Sequence, residues 1–257
     1  MKSVRYIITL VVCTALLSCA GLKNKATEEL RKIHTVAIVE IVADSTVGNF
    51  GNEEQKPSTL GSLGAMMSLA KGKSLAETAA AVSHPTENLL SSAVPILFAN
   101  LKAVKAITVS DSSAVLNSPA YKATPAWALA SRDQISSKGY KILQPNQPKQ
   151  AQDLCQKLNV DGVMSVKIKF QKKMSTGVGL NGTATGAAEV VVTIMNREGK
   201  TVWNRSSNLY DPKAGTVGIV DGVYDKEKMD PLILAAFNET TKYLFSNTLK
   251  KEMEVAK

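Results

Sequence analysis

The chain has 257 residues, with 31 Lys+Arg against 22 Asp+Glu and a formal net charge of +9. Hydrophobic residues at 44% and charged residues at 21% are globular proportions, which exclude a disordered tail, a collagen-like fibre and a coiled coil. Two His and three Cys leave few candidates for metal or disulfide chemistry, and the length fits one domain with insertions or two small ones.

Lys2 and Arg5 precede an uncharged apolar stretch at residues 6–17. These 12 residues are too few for a helix to cross ~30 Å of hydrocarbon, but they fit the apolar region of a signal peptide. Leu16-Leu17-Ser18-Cys19 then resembles the bacterial lipobox. The alternative is an ordinary secretory signal in which Cys19 stands there by chance. The resemblance implies cleavage before Cys19, a thioether-linked diacylglycerol on its sulfur and N-acylation of the new terminus. Several chains anchor a protein far more firmly than one. Ala20 follows rather than Asp, which in enterobacteria implies export to the outer membrane.

Removing residues 1–18 takes Lys2 and Arg5, so the mature chain carries 29 basic residues (31 minus 2) against 22 acidic ones, a net +7. Cys13 leaves with the signal and Cys19 is acylated, so Cys155 is the remaining thiol and no intrachain disulfide can form. No later apolar run approaches ~18 residues, and no helical membrane span is expected.

Residues 19–33 are mostly small or polar and read as a lipidated tether. The β-branched run at 34–42 predicts the first strand. Residues 43–57, rich in Gly, Asn and acids, read as loop. Residues 60–82 are dominated by Ala, Gly, Ser and Met, and Ser74-Leu-Ala-Glu77 has capping-box spacing, predicting a short helix at 74–83. Leu90, Val94, Leu97, Leu101 and Val104 share one helical face, interrupted by Pro95, which is expected to kink the helix or start a new segment. A strand at 107–110 follows. Thr124-Pro125 predicts a helix start, with Gly139 as its end and a strand at 140–143 after it. Pro148 opens a further helix, with Ala151, Leu154, Cys155 and Leu158 on one face and Asn159 at its left-handed end.

From Val160 the period changes to two. Gly162, Met164, Val166, Ile168 and Phe170 point one way, and Ser165, Lys167, Lys169 and Gln171 the other, as in a strand with one buried face. Asn181-Gly182 predicts a hairpin turn, 186–195 a second strand, Arg197-Glu-Gly199 another turn and 201–207 a third strand. Residues 208–224 read as loop. Asp230-Pro231 opens a last helix that buries Ile233, Phe237, Leu244 and Leu249. The fold class is α/β: a mixed sheet with packed helices, and a three-strand meander followed by a long helix. The domain expectation is a single unit over 34–257 with a small-residue insertion at about 43–85.

Val36-Ala-Ile-Val39, Gly139-Tyr-Lys-Ile-Leu143, Leu158-Asn-Val-Asp-Gly-Val163 and Asn196-Arg-Glu-Gly-Lys-Thr-Val-Trp203 together resemble strand and junction patterns of a superfamily of bacterial envelope lipoproteins. It includes curli-secretion-channel-type proteins, penicillin-binding-protein activators and the N-terminal domain of the Tol β-propeller protein. The resemblance covers roughly residues 34–250. Residues 60–82 have no obvious counterpart in it, and Val190-Val-Val192 breaks the alternation that a membrane-crossing hairpin needs, which argues against a pore.

Catalytic signatures are sparse. HExxH, CxxC, GxSxG and P-loop patterns are absent. His34 and His84 read as structural or exposed. Cys155 reads as a core thiol packed against Met164, Val166 and Ile168. Gly177-Val-Gly-Leu-Asn-Gly182 matches GxGxxG, but a strand follows it rather than a helix, so a flexible hairpin loop is expected. Asp211, Asp221, Asp225 and Asp230 are too irregularly spaced for a calcium loop and read as solvated. Lys167, Lys169 and Lys173 share one strand face with Lys172 adjacent; they read either as a solvated face or as a site for an anionic envelope partner. Nucleic acid is not expected as a partner, since only 5% of residues are aromatic. The combined expectation is a non-catalytic, cofactor-free lipoprotein of the outer membrane, facing the periplasm through Cys19 and docking an envelope protein or polymer. The alternative is an oligomeric component of a secretion or transport machine.

Overall fold

The β-branched run forms β1 (Thr35–Asp44), the strand around which a computed structural model builds the sheet. The structure describes residues 27–49, 83–130, 133–178, 181–211 and 213–254. The expected signal, the acylated Cys19 and the helix at 74–83 lie outside these, apart from Ser83. Residues 27–31 are helical, and Leu30 and Ile33 are buried in the core. The packed domain therefore begins inside the span expected as tether, because these two apolar residues have a core to enter.

The remaining strands are β2 (Gly48–Asn49), β3 (Thr108–Val109), β4 (Gln134–Ser136), β5 (Gly162–Val178), β6 (Asn181–Asn196), β7 (Thr201–Tyr210), β8 (Val217–Val220) and β9 (Val223–Tyr224). The sheet runs β3-β1-β5-β6-β8-β9, with β4 also beside β1, β2 beside β5 and β7 beside β6. β1 is parallel to β3 and β5, whereas β5–β6, β6–β7, β6–β8 and β8–β9 are antiparallel. The fold is α/β with a mixed sheet.

The helices are α1 (Glu87–Lys102), α2 (Ser112–Asn117), α3 (Pro119–Ala123), α4 (Pro148–Leu158), α5 (Lys226–Lys242) and α6 (Lys250–Glu254), with a π-helical segment, Tyr243–Leu249, between the last two. A register shift in β1 between Ile38 and Glu40 lets its apolar residues serve both faces. Val36, Ile38, Ile41 and Ala43 join Met164, Val166, Ile168 and Phe170 under α1, α5 and the π segment. Ala37, Val39 and Val163 face the other way and pack with Val115, Tyr121, Leu154 and Cys155 of α2, α3 and α4. Helices thus cover both faces.

Two close approaches fix the layers. A Cβ on Gly186 of β6 would stand 2.2 Å from the backbone of Leu232 and Ile233, so α5 lies directly on the strand there. Thr240 reinforces that contact by donating its hydroxyl to the Ala188 carbonyl at 3.0 Å.

Several elements differ from expectation. α1 runs unbroken through Pro95, which faces solvent, where the carbonyl it leaves unbonded can be hydrated. Thr124 ends a helix instead of starting one. Ser118-Pro119 is the working start signal, and the Ser118 hydroxyl accepts the Tyr121 N–H at 3.1 Å. Residues 140–143 form no strand, because their backbone bonds elsewhere. Lys141 N–H donates to the Tyr121 hydroxyl at 2.8 Å and Leu143 N–H to Glu40 at 2.7 Å. Asn181 and Gly182 are the first residues of β6, paired with Val178 and Gly177, and so stand in the ladder and not in a turn. Residues 208–224 extend β7 to Tyr210 and add β8 and β9. α5 starts at Lys226, one turn earlier than expected, because Asp225 caps it by accepting the Lys228 N–H. Asn159 is left-handed at φ 52° as expected, and Ile233, Phe237, Leu244 and Leu249 are buried.

Candidate functional site

Strand alternation divides the four lysines. Lys167, Lys169 and Lys173 stand on the α4 face of β5, whereas Lys172 continues the row of Phe170 on the α1/α5 face. On the α4 face Lys169 opposes Glu189 across the β5–β6 ladder, with 3.4 Å between Nζ and Oε2. Burial pushes the Asp44 carboxyl up, and Lys169 partly offsets that rise. Lys173 lies over the Tyr210 ring, its Nζ 3.3 Å from the centroid. Between these groups sit Gln171, Thr185 and Asn208, whose buried Oε1, Oγ1 and Oδ1 have no hydrogen-bond partner among the described residues. The expected basic stripe is therefore a mixed polar row, in which Lys169 answers nearby carboxylates.

The two ends of β5 differ sharply. At its start Val36 pairs with Gly162, so the chain from the N-terminus joins the fold there. Its seventeen residues, at ~3.3 Å each, carry the strand about 50 Å to the other end. There Met174 and residues 175–177 are exposed, as are Val220 (67%) and Val223 (43%) of the neighbouring β8–β9 hairpin. Asp221 N–H donates to Asn181 Oδ1 at 2.9 Å, which holds the two hairpin ends side by side.

A polar cluster, buried at His84 and Tyr224 and partly exposed at Asp230, closes the same end on the α1/α5 face. His84, only 4% exposed, stands 2.8 Å from the Tyr224 hydroxyl through Nδ1 and 2.7 Å from Asp230 Oδ1 through Nε2. A carboxylate only accepts, so Nε2 carries the proton and Nδ1 accepts from Tyr224. Burial pulls the imidazole below the usual His range, and Asp230 only partly restores it. Lys172 Nζ sits 5.0 Å from the centre of the Tyr224 ring, and burial lowers its ammonium too. Sequence reasoning missed this cluster: Tyr224 and Asp230 lie 140 and 146 residues from His84, with no local pattern linking them.

The other residues singled out by sequence have separate structural duties. His34 is exposed, and its backbone N–H donates to Asp161 Oδ2 at 3.1 Å. Cys155 is 0% exposed, and burial pushes its thiol up to about 11. It packs with Ala37, Val39 and Val163, on the sheet face opposite Met164, Val166 and Ile168, since α4 covers that side. Gly177 pairs with Gly182 at the hairpin end. Asp225 caps α5, Asp230 binds His84, and Asp211 accepts the Lys213 N–H at 2.8 Å. Among the described residues no three His, Cys, Asp or Glu side chains gather as a metal site. Nor is any described helix long and apolar enough to cross a membrane.

No protein-family model matches the chain, and no curated protein matches it at a significant level.

Proposed function

We propose that the protein is a non-catalytic lipoprotein, anchored through Cys19 to the periplasmic side of the outer membrane, that docks or helps assemble an envelope partner. The lipobox-like Leu16-Leu17-Ser18-Cys19 supports the anchor. The observation carrying the docking role is the placement of the two ends of β5. The N-terminal segment joins at Gly162, and the end where Met174, Val220 and Val223 are exposed among the described residues lies about 50 Å along the strand. A chain tethered at the first end presents the second away from the bilayer. Exposed apolar side chains grouped beside two hairpins suit a protein partner. Burial of the thiol of Cys155 supports a role without nucleophilic chemistry.

The test places a photo-crosslinking residue at Val220 or Val223 in intact envelopes, with Lys157 as a control at the other end. Discrete adducts from the two valines and none from Lys157 support docking at this end. Equal or absent adducts at all three positions contradict it.

An oligomeric assembly component is the second reading, favoured by β7. Among the described strands this ten-residue strand pairs only with β6, leaving an edge that a second copy could extend. Light scattering on the mature chain lacking acyl groups separates the two: a discrete oligomer supports this reading and a clean monomer sinks it.

A further inference from the structure

The cluster around His84 joins the segment before α1 to β9 and α5, which follow each other in the chain with Asp225 between them. Val47 N–H donates to the His84 carbonyl at 2.9 Å, Tyr224 belongs to β9, and Asp230 to α5. β9 has two residues and pairs with β8, which meets β6 over only Gly182, Thr183 and Ala184. So short a ladder depends on side-chain ties for its closure. We propose that His84 is an acid-sensitive latch, which while neutral fastens the segment before α1, strand β9 and helix α5 together, and on protonation releases the β8–β9 end of the sheet.

The hydrogen-bond pattern described belongs to the neutral ring. Neutral His84 donates from Nε2 to Asp230 and accepts at Nδ1 from Tyr224. A second proton on Nδ1 turns that acceptor into a donor facing the hydroxyl, which must then find another acceptor inside the protein. The charges around the ring oppose the imidazolium as well. Lys172 from β5 and Lys226 from α5 repel it, and Asp230 from α5 attracts it. Tyr224 from β9 stays uncharged, because burial raises its hydroxyl. Thr46 and Val47 bring no titratable side chain. Burial and the two lysines outweigh Asp230, so closure resists protonation, whereas opening lets the imidazolium reach water. Between the ordinary His value near 6.5 and the lower value of the closed state, the open form gains up to about tenfold per pH unit of acidification. The latch governs the end of the sheet proposed for docking, but its test reads this protein alone and stands or falls separately.

Hydrogen-exchange protection of residues 217–224 in the full mature protein, followed from pH 7.5 to 5 beside NMR titration of His84, tests the proposal. Expected are a His84 midpoint below the ordinary 6.5 and a protection loss approaching tenfold per unit, absent in His84→Gln. Asp230→Asn should carry the loss on to lower pH, and Lys172→Gln should end it at higher pH, because both act on the closed state. These opposite shifts carry the test alone if His84→Gln fails to fold. Equal loss in a folded His84→Gln protein, a His84 midpoint at or above 6.5, or midpoints unmoved by both partner substitutions would each overturn it.

Discussion

His84 Nε2–H donates to Asp230 Oδ1 over 2.7 Å, although 146 residues separate the two. Asp230→Ala leaves a buried imidazole N–H without its acceptor, which should cost about 1–3 kcal/mol in denaturant unfolding at pH 7.5. The pH dependence has a definite sign. The folded-state value of His84 is depressed, so its contribution is present above about 6.5 and is lost as pH falls toward the folded value. Unfolding midpoints measured from pH 7.5 to 5 should fall more steeply in the parent than in His84→Gln.

Gly186 admits no side chain. Its missing Cβ would stand 2.2 Å from the α5 backbone at Leu232 and Ile233, and backbone cannot yield as a flexible side chain does. Gly186→Ala should destabilise by about 1–3 kcal/mol, by pushing α5 off β6. Stability unchanged to within about 0.5 kcal/mol would show that α5 does not sit so close.

Cys155 should react slowly with a thiol reagent while the domain is folded and fast once denaturant is added, because the thiol is buried and raised to about 11. Its folded value lies above the ordinary 9.0, so the stability it contributes is lost as pH climbs from 9 toward 11. Cys155→Ala should cost on the order of 1 kcal/mol and Cys155→Asp much more, since the latter buries an unpaired charge. Fast labelling of the native protein would reopen the question of a reactive thiol.

Local signals explain most of what the sequence made legible. Period-two alternation identified β5 and its buried row, and Asn159 marked a left-handed helix end, because neither depends on distant residues. The errors occurred where the deciding partner is remote. Ser118-Pro119 and Thr124-Pro125 look alike as helix starts, but only the former lets Tyr121 bury its ring and reach the Val39 carbonyl at 3.0 Å. Residues 140–143 have strand composition, yet side chains of Tyr121 and Glu40 take their N–H groups. β8 and β9 are too short to show a period and exist through pairing with β6 and with each other. The mixed charge of the lysine row depends on Glu189 and Asp44, from two other strands.

Glu40 is a buried carboxylate whose Oε1 accepts the Leu143 N–H at 2.7 Å and whose Oε2 accepts the Ser165 hydroxyl. Glu40→Ala strands that backbone donor inside the protein and should cost about 1–3 kcal/mol. Glu40→Gln, which keeps a carbonyl acceptor, should recover part of the loss. Equal stability of the parent and both variants in urea titration would show that residues 140–143 are held by other means.

The central claim is that Cys19 carries a lipid anchor, leaving the far end of β5 free to dock. Metabolic labelling with a fatty acid, followed by membrane fractionation of the parent and Cys19→Ser proteins, tests it most directly. The predicted result is label on the parent in the outer-membrane fraction and none on Cys19→Ser, which leaves no mature anchored form. Undiminished label on Cys19→Ser would contradict the lipoprotein account.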